Sequence, residues 1–200
     1  MSNKTLELLQ KRRTQYALGK DLPLSADMVE GLIKAAIRHA PSSFNSQSSR
    51  AVILFGAESE KAWGLIEAEL RKIVPAEDFG PTEAKMKGFA AGAGTVLFYE
   101  DEDTIKGLQE QFPLYADAFP RFSQHSAGMA QLAVWTALAE EGIGASLQHY
   151  NPVADAALAE AFDVPASWTL VAQMPFGGHA GEIGDKTFME DEARFRTHGK

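Results

Sequence analysis

The chain of 200 residues contains no cysteine. Disulfides, thiol nucleophiles and thiolate metal sites are therefore excluded. Cations are in the minority, 19 Lys and Arg against 27 Asp and Glu, for a formal net charge of -8. Such a surface repels nucleic-acid phosphates and anionic lipid, so neither is expected as a partner, and any anion has to be captured locally. Long apolar runs are also missing: the richest segment, AGMAQLAVWTALA at 127–139, falls short of the roughly 20 residues that cross a bilayer and carries Gln131 and Thr136. It reads as a buried helix. The opening MSNKTLELLQ lacks the apolar stretch and small-residue cleavage site of a secretory signal, so a cytoplasmic location is expected. With no repeat, low-complexity tract or linker in view, one domain over 1–200 is expected.

Several common chemical motifs are absent as well. Gly92-Ala93-Gly94 precedes its strand and lacks the third glycine of a dinucleotide fingerprint, so it reads as a helix-to-strand turn. There is no G-x-S-x-G elbow. His39, His125, His149, His179 and His198 are scattered without ligand spacing, so no metal site is expected. His149 stands apart, because it lies at an expected strand end between two polar residues.

What is present organises into alternating elements. Leu6 and Leu9 mark a short first helix that runs into the basic run Lys11, Arg12 and Arg13. Ser25 is placed to cap a second helix with apolar positions Val29, Leu32, Ile33 and Ala36, ending at Pro41. RAVILFG at 50–56 is a continuous apolar run, the pattern of a strand covered on both faces. Trp63, Ile66, Leu70 and Ile73 form a helical stripe, a further helix spans 82–91, and TVLFYE is a second strand. Asp103 is placed to cap a brief helix, and a long helix is expected over about 120–141, opened by Pro120 and closed by EGIG. That helix is apolar around most of its girth from Ala127 onward, which a dimer buries more readily than a monomer. ASLQHY reads as a short strand, Asn151-Pro152 as a helix start, and WTLVAQMPFGG as a final strand. The tail, about 179–200, is too poor in apolar residues for a core of its own and is expected to wrap over something, such as a second subunit.

Three polar segments remain unexplained by folding. Arg12, Arg13 and Thr14 offer two guanidinium forks and a hydroxyl, which suit a phosphate; the alternative is a basic helix end facing the negative pole of a helix dipole. PSSFNSQ offers hydroxyls and amides on a loop, and LQHYNP a polar strand end. Cations for a phosphate, amides and hydroxyls for a ribityl chain and a pyrimidine edge, and apolar surfaces for ring faces are what a flavin nucleotide needs. One amide both donates and accepts, which suits a flavin edge.

Taken in order, RRTQYALGK, APSSFNSQSSR, LQHYNP and DVPASWTLVAQMPFGG resemble the FMN-dependent nitroreductases, in their compact branch named after a fatty-acid repression mutant. The resemblance covers nearly the whole chain. It implies an α+β fold, a central mostly antiparallel sheet flanked by helices, in an intertwined homodimer with FMN at each of two interface sites. It implies that Arg12, Arg13 and Thr14 hold the phosphate and ribityl chain with Gln15 close by. Asn45 and Gln47, with Ser42 and Ser43 nearby, would approach the flavin from the other subunit. Gln148 and His149 would line the ring near its reactive nitrogen, and Lys186 would reach the phosphate. The chain departs from better-known members at Tyr16, where those carry a basic residue beside the pyrimidine; Arg50 is an alternative cation on chemical grounds. The long substrate-covering excursion of larger members is not apparent.

The implied activity is an oxidoreductase working in two steps, in which NADH or NADPH reduces FMN and a nitroaromatic or quinone acceptor reoxidises it. No catalytic side chain is required, because the cofactor carries the redox chemistry. Two other classes fit the same residues: a flavin-binding regulatory or stress-response protein with low turnover, and a cofactor-free helical interaction protein whose arginines only cap a helix.

Overall fold

In the computed structural model, which describes residues 3–200, the Asn3 carboxamide accepts from the backbone N–H groups of Thr5 and Leu6 and starts α1, Lys4–Lys11. A two-residue strand, β1 (Leu18–Gly19), follows. Ser25 caps α2, Ala26–His39, by accepting from Met28 N–H, and this helix buries Val29 and Ile33 as its apolar spacing predicts. Next come β2 (Ser49–Phe55), α3 (Ala57–Leu70), α4 (Gly80–Ala90) and β3 (Gly94–Asp101). The chain continues through α5 (Glu102–Gln111), α6 (Phe119–Glu140), β4 (Gly144–Ala145), α7 (Asp155–Ala161), β5 (Trp168–His179) and α8 (Asp191–Arg194). The first two residues of the expected domain, Met1 and Ser2, lie outside the described residues.

The strands form one antiparallel sheet in the order β1-β5-β3-β2, with β4 also paired to β5. The central strand β3 alternates between two cores, as a strand with period two must. Leu97 and Tyr99 join Trp63, Ile66, Met86 and Phe89 of α3 and α4. Val96 and Phe98 join Val29 and Ile33 of α2 with Val134 and Leu138 of α6. Helices thus cover both faces of the sheet, and the expected α+β architecture is present. Among the described residues no helix is long and apolar enough to cross a membrane.

The structure corrects several expectations. One expectation stands: RAVILFG is covered on both faces, with Val52 and Leu54 in the core under α3 and α4 and Ala51, Ile53 and Phe55 against that of α2 and α6, although β2 is an edge strand and only Leu54 is fully buried. Ile73 lies beyond the end of α3 and is 62% exposed. The cap of α5 is Asp101, whose carboxylate accepts from Asp103 N–H, so Asp103 sits inside the first turn. Of ASLQHY only the start is regular strand; the chain then leaves β5 and returns at Gln148, which exchanges both backbone hydrogen bonds with Gln173. Asn151-Pro152 forms a turn, and α7 begins only at Asp155. The Gly92-Ala93-Gly94 turn is as expected: a side chain at Gly94 would lie 2.4 Å from the Phe176 ring.

Candidate functional site

The basic run after α1 is held against the sheet end. Thr14 bridges Ala145 in parallel, and Gln15 N–H donates to the Ala145 carbonyl at 2.9 Å. The three cations then diverge. Lys11 Nζ donates to the Glu140 carbonyl at 2.7 Å, so it caps the end of α6, not of its own helix. Arg12 lies with its guanidinium carbon 4.3 Å from the Trp135 ring centroid, and Arg13 donates to the Gly184 carbonyl at 2.6 Å. Burial first, and then the charge of Arg13, pull the Arg12 guanidinium below its ordinary pKa. Two adjacent cations that destabilise one another are the condition under which a bound anion gains most.

Arg12, Arg13, Thr14 and Lys186 line one cavity of about 630 Å³. Gln15 lines it too; its side chain is buried and donates to the Gly181 carbonyl at 2.7 Å, fastening the start of the tail over the cations. Glu182 and Asp185 stand on the same wall, yet among the described residues none of Arg12, Arg13 and Lys186 is in an ion pair within 4.0 Å. Lys186 is placed with Arg12 and Arg13, its ammonium 5.0 Å from the Phe188 ring centroid. This donor set fits a phosphate: forked and point cations, a hydroxyl, and free N–H groups.

Tyr16 and Ala17 belong both to this cavity and to a second one of about 510 Å³. Phe89, Tyr150, Gln148 and Lys85 form the rest of its wall with small residues of α4. The phosphate-type cavity therefore adjoins, across Tyr16 and Ala17, an aromatic compartment suited to a planar ring. Lys85 and Phe89 were not signalled by the sequence. They sit one turn apart on α4, far along the chain from the polar segments, and only the packing of α4 on the sheet brings them to Gln148.

His149 points elsewhere. It is exposed and lines a separate cavity of about 430 Å³ with Gln124, Gln131 and Asn151. Adjacent residues on an extended segment face opposite ways, so Gln148 and His149 do not share a compartment within one chain.

The loop with Ser42, Ser43, Asn45 and Gln47 is also apart from Arg12 within the chain. Ser42 and Gln47 line a small cavity of about 160 Å³ beside the end of α2 and α6. Phe44, Asn45 and Gln47 have φ of 57°, 52° and 51°, the left-handed region that non-glycine residues rarely adopt. The conformation is over-determined: Gln47 N–H donates to Ser42 Oγ at 2.9 Å, Ser43 N–H to Ser126 Oγ at 3.2 Å, and the Phe44 ring packs 4.9 Å from Phe112 and 5.3 Å from Phe119. The backbone is held in this conformation with the Asn45 and Gln47 side chains exposed. Arg50, the alternative cation, is engaged where it is: it donates to Asp101 at 2.7 Å and to the Gln47 carbonyl at 2.5 Å.

An antiparallel sheet between helix layers carries, at its end, a cationic cavity beside an aromatic one, and the family to which this architecture belongs is one of oxidoreductases. The nitroreductase family profile matches residues 9–178, and the chain belongs to that family. It is 45% identical to the nitroreductase CinD from Lactococcus lactis, solved in complex with nicotinic acid, over 98% of this chain and all of that one, with a TM-score of 0.91. It is 35% identical over 192 residues to the nitroreductase FRM2 of Saccharomyces cerevisiae, covering 93% of each chain. A nitroreductase from Desulfitobacterium hafniense solved with bound FMN shares the fold, with a TM-score of 0.72 at 15% identity.

Proposed function

We propose that this chain is an FMN-dependent nitroreductase that passes electrons from NADH or NADPH to nitroaromatic or quinone acceptors in two successive half-reactions, as a homodimer. The observation that carries the reading is the adjacency, across Tyr16 and Ala17, of an aromatic compartment and a cavity lined by three cations that have no ion pair among the described residues. In that arrangement Arg12, Arg13 and Lys186 hold the phosphate, and Thr14 donates its hydroxyl to the phosphate or ribityl oxygens. Phe89 and Tyr150 exclude water from the ring compartment, and the Gln148 carboxamide offers a donor and an acceptor to the ring edge. Ser42, Ser43, Asn45 and Gln47 approach from the second copy, because within one chain none of them lines the cavity of Arg12, and Ser42 and Gln47 line a different one. His149 faces the opposite way from Gln148 and serves the ring only through the same dimer.

Bound FMN supplies a carrier that accepts two electrons from one substrate and yields them to the next. The protein contributes position and charge, and no side-chain general acid is needed. Support for the acceptor class comes from the Lactococcus lactis relative, which is 44% and 43% identical in its complexes with 4-nitrophenol and chloramphenicol.

The absorption spectrum of the purified chain mixed with FMN and passed through a desalting column tests the cofactor. A retained yellow protein that oxidises NADH or NADPH only when a nitroaromatic or quinone is present supports the proposal. A chain that emerges colourless defeats it, and a yellow chain without turnover leaves the low-turnover regulator in its place.

A further inference from the structure

Glu100 of β3 is fully buried, and the electron transfer proposed above does not use it. Among the described residues it has no ion pair, because its neighbour Arg50 bridges Asp101 instead. What it has is two hydroxyl partners: Ser48 Oγ donates to its Oε2 and Ser49 Oγ to its Oε1, each at 2.5 Å. Burying a carboxyl group without a cation is costly, and an apolar side chain of similar size is often no less stabilising in such a place. The reason for a glutamate here therefore lies in what its two partners hold.

Ser48 and Ser49 are the first residues after the loop that carries Asn45 and Gln47. Gln47 is the last residue of that loop in the left-handed region, with φ of 51°, and such a conformation persists only where its surroundings over-determine it. The entry of the loop is held from α6, through Ser43 N–H and Ser126 Oγ. Its exit is held from β3. Glu100 lies directly across from Ser49 in the register of the two strands, Asp101 N–H donates to the Ser48 carbonyl at 3.0 Å, and Ser48, like Glu100, is fully buried. Arg50 ties the Gln47 carbonyl to Asp101, so both carboxyl groups of β3 grip this exit: Asp101 through an arginine, Glu100 through two serines.

We propose that Glu100 is a positioning residue for the loop of Asn45 and Gln47: by holding Ser48 and Ser49 it fixes the exit of the loop, and with it the backbone from which those two amides approach the cofactor of the second copy. This rests on the FMN reading above, in which that loop serves the site across the dimer. Glu100 touches no reacting atom and acts only through the two serines.

The experiment compares the parent with Glu100→Gln, Glu100→Leu and a triple variant that combines Glu100→Leu with Ser48→Ala and Ser49→Ala. Gln keeps both contacts, because its carboxamide accepts from one serine and donates to the other. Leu leaves the two hydroxyls without their acceptor, and the triple variant removes those orphans too, so that stability is regained while the grip on the loop is not. Thermal midpoints, amide hydrogen exchange in protein freed of FMN, and FMN affinity by fluorescence quenching are read for each. The N–H groups of Ser43, Asn45, Ser46 and Gln47 are all hydrogen-bonded, so their exchange reports opening of the loop. Glu100→Gln is expected to keep the parent's slow exchange and an FMN affinity within about threefold of it. Glu100→Leu and the triple variant should both exchange about tenfold faster at these four amides, with β5 still protected, and lose about tenfold in FMN affinity, whatever their thermal midpoints. A triple variant that regains the parent's midpoint, exchange and affinity together overturns the inference, since Glu100 would then matter for stability alone. Faster exchange with parental FMN affinity overturns it as well, and leaves the FMN reading intact. A parent chain that binds no FMN removes both.

Discussion

The Arg12 guanidinium stacks on the face of Trp135, 4.3 Å from the ring centroid. Stacking orients the fork through the ring quadrupole and leaves its N–H donors available, which a carboxylate partner would not. Arg12→Ala should therefore weaken FMN binding by about 1.5–3 kcal/mol, the worth of charge-assisted contacts, and Arg13→Ala by a similar amount. Trp135→Leu should cost less, about 0.5–1 kcal/mol, because the guanidinium remains but loses its platform. Fluorescence titration with FMN reads all three; equal affinity in Arg13→Ala and the parent would take Arg13 out of the site.

The end of the sheet that carries this site is built on close backbone approaches. A Cβ at Gly177 would lie 2.2 Å from the Gly19 carbonyl oxygen and 2.9 Å from the Ala93 nitrogen, so β1 and β5 meet only because residue 177 has no side chain. Gly177→Ala should destabilise by at least about 1–3 kcal/mol, since backbone cannot rotate out of the way. A Cβ at Gly64, inside α3, would meet nothing within 4 Å, and Gly64→Ala should gain about 0.5–1 kcal/mol from helix propensity. Thermal melts of the two variants should shift in opposite directions; a shift in the same direction would mean that the close approach is not what fixes residue 177.

Burial pushes the Glu100 carboxyl above its ordinary pKa, outweighing the hydroxyls of Ser48 and Ser49 that donate to it, each at 2.5 Å, and the charge of Arg50. A group that holds its proton more tightly when folded adds stability below its unfolded pKa, about 4.3, and that contribution is lost as pH rises through the folded value. The difference in unfolding free energy between the parent and Glu100→Gln should therefore move against the parent as pH rises above about 4.3 and level off beyond the folded pKa. Because other carboxylates are common to both proteins, denaturant melts at several pH values isolate this one. Parallel pH profiles, or a difference that favours the parent at higher pH, would contradict the assignment.

Residue types and spacing made the helices, β3, β5 and the cationic segment legible, because each is specified within a short window. Ser25 with Val29 and Ile33 defines α2 locally, and no distant contact competes with it. The same reasoning read the cover of RAVILFG but not its edge position, since an apolar run reports what lies on a strand's faces and not what pairs along its sides. It also missed Lys85, whose place in the ring compartment depends on α4 lying beside Gln148, a relationship carried by no short stretch of sequence. Asp101 displaced Asp103 as a cap for a partly similar reason: its carboxylate accepts from Thr104 within the first turn of α5 and from Arg50, a contact that depends on β2 and β3 being paired.

Met129 and Leu132 on α6 are 39% and 43% exposed, although neighbouring Ala130 and Gln131 are buried. An apolar strip on a helix that is otherwise packed into the core leaves a face that a second copy would bury. The loop of Asn45 and Gln47 is fastened to the same helix through Ser126, in a cavity separate from that of Arg12. If FMN needs both, then dimerisation through α6 and cofactor binding are one event. The double variant Met129→Lys, Leu132→Lys places charges on that strip without touching the cation cavity. It should run as a folded monomer by light scattering with the helical circular dichroism of the parent, and lose at least about tenfold in FMN affinity, ~1.4 kcal/mol. A monomer that binds FMN as tightly as the parent would show that one chain suffices, and the loop of Asn45 and Gln47 would then have to serve another ligand.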